Sequence, residues 1–106
     1  MLKKLIYDEL LHANENLNTI EARFYEVTNH LIEAEMDLEF KKAELINSSM
    51  MNKDNEDQQG AQLMLHLKGE YMQCKKLGIE LNALKANYNS AQRTFDMWKK
   101  MMESQR

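Results

Sequence analysis

The stretch from Ile6 to Leu45, IYDELLHANENLNTIEARFYEVTNHLIEAEMDLEFKKAEL, decides the fold. Alternating steps of four and three residues from Ile6 fall on Ile6, Leu10, Ala13, Leu17, Ile20, Phe24, Val27, Leu31, Ala34, Leu38, Lys41 and Leu45. Eleven of these twelve are apolar. The same stepping from Leu63 gives Leu63, Leu67, Glu70, Cys74, Leu77, Leu81, Leu84, Tyr88, Ala91, Phe95, Trp98 and Met102, again eleven apolar of twelve. A 3.5-residue apolar repeat held over about five heptads is a coiled-coil seam, because it keeps one apolar line turned toward a partner helix.

Between the two seams lies a polar stretch, Asn47 to Gly60, NSSMMNKDNEDQQG. Its asparagines, serines and acids favour turns and caps. Asn55 followed by Gln58 suits the start of a second helix. The expected architecture is therefore all-α: one domain, residues 1–106, folded as a long antiparallel two-helix coiled-coil hairpin. Its elements are a helix over about residues 2–48, a loop over about 49–56 and a helix over about 57–104.

Composition agrees. The chain of 106 residues has no proline, three glycines and one cysteine. Average usage would supply about 5 Pro and 7 Gly. Folds that turn every few residues, such as barrels, Greek keys and dinucleotide-binding units, are excluded. A lone Cys74 excludes an internal disulfide and points to a reducing, cytoplasmic setting. No apolar run is long enough for a membrane span. The opening MLKKLIYDELL breaks its apolar run at Asp8 and Glu9, so it does not read as a secretory signal.

Register follows from matching a to d positions across an antiparallel pair. Leu45 then meets Leu63, Ala34 meets Cys74, Leu31 meets Leu77, Phe24 meets Leu84, Ile20 meets Tyr88, Leu17 meets Ala91, Ala13 meets Phe95 and Leu10 meets Trp98. Small residues face large ones, which fills layers evenly. Flanking positions bring Glu21 near Lys85 and His30 near Glu80. Lys41 and Glu70, the two seam breaks, fall in adjacent layers within mutual reach. Such a polar seam pair can fix register at a cost in stability.

Charge is asymmetric. Residues 1–59 carry 6 basic and 13 acidic groups, a net −7, whereas residues 60–106 carry 8 and 4, a net +4. An acidic helix beside a basic one relieves self-repulsion, so this polarity is expected to be satisfied within the chain.

A second apolar stripe lies outside the seam. The first helix carries Tyr25, Ile32, Met36, Phe40, Ala43 and Ile46. The second helix carries Leu65, Met72, Ile79 and Ala86, with Met64 and Tyr71 beside them. An isolated pair would leave these as an exposed apolar patch. The partner expected is a second copy, giving a two-fold four-helix bundle. Tyr25, Ile32, Met36, Phe40, Ile46, Leu65, Met72 and Ile79 are thus the expected oligomer or partner surface.

Two charged features remain. The run Glu33, Glu35, Asp37 and Glu39 reads as a solvated face or as an acidic docking face for a basic partner. Lys99 and Lys100, near Trp98, are candidate phosphate contacts. Asp96 and Glu103 among them weaken a nucleic-acid reading.

No catalytic constellation, metal site or cofactor is expected. Glu9 and His12 match one copy of a Glu-x-x-His spacing, but di-iron bundles need two copies and two further carboxylates. Cys74, in the seam, is expected to be inert. There is no phosphate-binding glycine loop and no nucleophile paired with a base. An enzyme is not expected.

The segments EAEMDLEFKKAE, residues 33–44, and LNALKANYNSAQRTFDMWKKMM, residues 81–102, resemble small helical-hairpin accessory proteins of bacteriophages and prophages. The shared layout is an acidic helix with Lys-Ala-Glu, a polar loop and a second helix closing on aromatic and basic residues. The resemblance implies a cytoplasmic, non-enzymatic factor that binds and inhibits or redirects a host protein, such as a nuclease or anti-phage defence enzyme. As an alternative it implies a nucleic-acid-associated helper of phage recombination or replication; a structural assembly component is the third reading of the chain. Secreted hairpins with a Trp-x-Gly turn do not fit, since Trp98 lies far from the loop.

Overall fold

The computed structural model describes residues 2–48 and 56–105, and 96% of these are helical, with no strand among them. Helix α1 runs Leu2–Ile46, α2 runs Glu56–His66 and α3 runs Lys68–Ser104. The all-α class is thus as expected from the periodicity. The proposed Asn55 cap and most of the expected loop lie outside the described residues.

The helix ends have local causes. Ser48 closes α1 by donating both its backbone N–H (3.1 Å) and its hydroxyl (2.7 Å) to the Leu45 carbonyl. That satisfies a carbonyl which the ending helix leaves without an N–H partner. Glu56 and Asp57 occupy the first turn of α2, where acids complement the helix dipole.

The helix expected over 57–104 is two helices with a one-residue turn at Leu67. Gly69, two residues on, holds helical backbone weakly. The hydrogen-bond ladder nevertheless carries on, Leu67 N–H to Leu63 O and Tyr71 N–H to Leu67 O, both at 2.9 Å.

The chain forms two compact units. The first joins α1 up to Glu26 with α3 from Glu80 onward; the second is Val27–Ile79. In the first unit, one groove is lined by Ala13, Asn16 and Ile20 from α1 and by Asn87, Ser90, Ala91 and Thr94 from α3. A second groove joins Glu21, Phe24 and Tyr25 to Lys85, Tyr88 and Asn89. Rising numbers on α1 meet falling numbers on α3, so this pair is antiparallel. In the second unit, Leu38, Leu63 and Leu67 form a buried cluster against which Leu45, Ile46, Tyr71 and Cys74 pack.

Among the described residues, every buried one is a seam residue: Ile6, Ala13, Leu17, Val27, Leu38, Leu63, Leu67, Leu77 and Ala91. The remaining seam positions are all half-buried, Lys41 and Glu70 included.

The glycines of α3 are not required by this backbone. None has positive φ, and a Cβ added at Gly69 or Gly78 would meet nothing within 4 Å. Alanine restricts the unfolded chain and holds helix better. Gly78→Ala should therefore raise stability by about 0.5–1 kcal/mol in urea unfolding followed by circular dichroism. Leu38→Ala should instead cost about 2–4 kcal/mol through lost burial and a cavity.

Candidate functional site

The seam positions its own polar pair. Lys41 Nζ lies 3.4 Å from Glu70 and 3.2 Å from Asp37. This is the expected meeting of the two seam breaks. Asp37, then Glu70, holds the Lys41 ammonium above the usual lysine range by accepting its hydrogen bonds. Lys42 bonds Glu39 at 3.0 Å and sits 5.2 Å from the centre of the Tyr71 ring. Glu39, then Tyr71, raises its pKa likewise.

In the first unit Arg23 bridges Glu80 at 2.6 Å and Glu26 at 2.9 Å. Glu80 thus takes Arg23 as its ion-pair partner, where the sequence suggested His30. Arginine's fork reaches two carboxylates at once, which an imidazole does not. Glu80, then Glu26, pushes the guanidinium pKa upward. Raised cation pKa values mean that these three side chains keep their positive charge at neutral pH and lose it only as pH climbs through the raised values.

Both cross-helix ion pairs among the described residues run from a base on α1 to an acid on α3. That is opposite to the charge of each segment. The expectation that the acidic first half is neutralised by the basic second half is not met at the level of ion pairs. Lys68, Lys75 and Lys76 on α3 are exposed and have no ion pair among the described residues. Glu33 and Glu35 on α1 are in the same position. The run of four acids is therefore split, with Asp37 and Glu39 engaged by lysines on their own helix.

The second stripe is exposed. Met36 is 67% exposed, Phe40 66% and Leu65 79%, and Tyr25, Ile32, Met72 and Ile79 each expose half or more of their surface. Ile46 differs: it packs against the Leu38 cluster, as does Tyr71. Tyr25 belongs to the first unit, where it packs edge-on to Phe24 with ring centroids 6.0 Å apart. It helps line an open groove of about 390 Å³.

The sequence reading missed further exposed apolar residues in the first unit, Leu2, Leu5, Tyr7 and Leu11 on α1 and Met97 on α3; Met101, near Lys99 and Lys100, is exposed as well. Counting non-seam apolar residues toward the chain ends would have found them. Lys99 and Lys100 are exposed and have no ion pair among the described residues.

Among the described residues, no three His, Cys, Asp or Glu side chains converge on a point that could hold a metal ion. No described helix is long and apolar enough to cross a membrane. Comparison with family models, curated proteins and solved structures gave no match.

Burial raises the Cys74 thiol pKa, assisted by Glu35 and opposed by Lys42. The thiolate is the reactive form, so iodoacetamide should modify Cys74 at least about tenfold more slowly in the folded chain than in urea at mildly alkaline pH. Mass spectrometry of timed samples measures this. Equal rates would show that the seam does not shield the sulfur. Replacing both Lys41 and Glu70 by Leu should raise the melting temperature, since an apolar layer outperforms a partly exposed ion pair. Either change alone should lower it.

Proposed function

We propose that this chain is a non-enzymatic, all-α protein-interaction module. Copies associate through the outer stripes of the second unit, and the assembled module docks on another protein. What supports this is one observation. The seam of the second unit is already occupied, yet Ile32, Met36, Phe40, Leu65, Met72 and Ile79 remain half or more exposed. Apolar stripes of this kind are costly in water and mark contact surfaces. The resemblance to phage hairpins makes the second partner a host protein, such as a nuclease or defence enzyme acting in the cytoplasm. Glu35, exposed and without an ion pair among the described residues, suits the basic channel of a nucleic-acid enzyme.

Affinity capture from the native host tests this reading. Wild-type chain should retain a protein that the variant Glu35→Lys retains at least about tenfold less well. Equal capture by both, or none by either, would sink it.

A second reading rests on Lys99 and Lys100, exposed beside Met97 and Met101. Nucleic-acid binding there predicts a gel shift at low salt that is lost at high salt and in the variant Lys99→Glu, Lys100→Glu. Absence of a low-salt shift removes it.

A further inference from the structure

The two stripes of the second unit do not share a face. At 3.6 residues per turn, Met36 lies about half-way round α1 from the seam residues Ala34 and Leu38. Met72 lies similarly far round α3 from Glu70 and Cys74. The second unit therefore carries one stripe on each outer face, back to back.

The rims of these faces differ in sign. Ile32, Met36 and Phe40 run between Glu33 on one edge and Glu39 on the other. Leu65, Met72 and Ile79 run among Lys68, Lys75 and Lys76. Glu39 holds Lys42 but is itself 71% exposed. The three lysines have no ion pair among the described residues.

A closed two-fold dimer sets each patch against its own copy. Here that would oppose acid to acid or lysine to lysine, and it would leave the other stripe in water. Setting the α1 face of one copy on the α2–α3 face of the next buries both stripes and opposes unlike charges. We infer that copies of this chain associate through this heterologous contact, which repeats to give a row or ring rather than a closed pair. The inference rests on the self-association proposed above and specifies its geometry, replacing the two-fold bundle expected from sequence.

Analytical ultracentrifugation of the purified chain with two face-specific variants tests it. Met36→Asp with Phe40→Asp closes the first face; Met72→Lys with Ile79→Lys closes the second. Wild type should grow beyond two copies with concentration. Each variant alone should be monomeric, and an equimolar mixture should form a 1:1 pair that grows no further. A wild type that stops at a dimer, a variant that dimerises alone, or a mixture that stays monomeric overturns the inference.

Circular dichroism checks that the variants remain helical. If they do not, charge reversal decides. Lys75→Glu with Lys76→Glu should weaken association roughly tenfold or more, and mixing with a Glu33→Lys, Glu39→Lys chain should restore it. No weakening, or no rescue, overturns the inference. A chain that is monomeric alone yet retains a host protein overturns this geometry and leaves the docking function standing. A growing assembly that retains no host protein does the reverse.

Discussion

A helix with an apolar line every 3.5 residues has to meet a second helix, because that line is too continuous to leave in water and too narrow to build a core alone. Among the described residues nothing but seam side chains is buried. The core is one line of layers, and every other feature is placed by its angle from that line. Residues within a turn of it become flanking charges, such as Arg23 and Glu80. Residues on the far side meet solvent whether they are polar or not. The exposure of Met36, Phe40 and Leu65 is a consequence of where the seam runs.

The polar interruption of that line is instructive about magnitude. Lys41 and Glu70 meet at 3.4 Å, but the lysine side chain keeps 42% of its surface in water and the glutamate 28%. Screening at that exposure leaves little net stabilisation. A polar seam pair of this kind can instead disfavour shifted alignments, in which each charge would face an apolar layer without its partner.

Periodicity made the helices and their pairing legible, since burial on a coiled coil follows position in the heptad. It was blind where backbone or side-chain reach decides. The turn at Leu67 leaves the seam spacing unchanged and the hydrogen-bond ladder continuous, so the apolar repeat carries no sign of it. Ile46 turns inward because the last turn of α1 packs on the Leu38 cluster, and Tyr71 packs there too, beneath Lys42. Arg23 outreaches His30 for Glu80 because a long forked side chain spans several residues of axial offset. For the candidate surface, membership was readable, but direction was not drawn from it. The angular position of each stripe follows from the same heptad numbers that defined the seam.

Charge closes the account of the outer faces. A net −7 in one half and +4 in the other would ordinarily be consumed where the two halves touch. The cross-helix contacts instead pair the minority charge of each segment: the bases of α1 with the acids of α3. Each such pair removes a base from the acidic helix and an acid from the basic one. The outer rims are therefore left more one-sided than composition alone implies. An acidic rim around one apolar stripe and a lysine rim around the other favour a partner of opposite sign on each face. A second copy offers both signs at once, whereas a single unrelated partner of one sign would satisfy only one face.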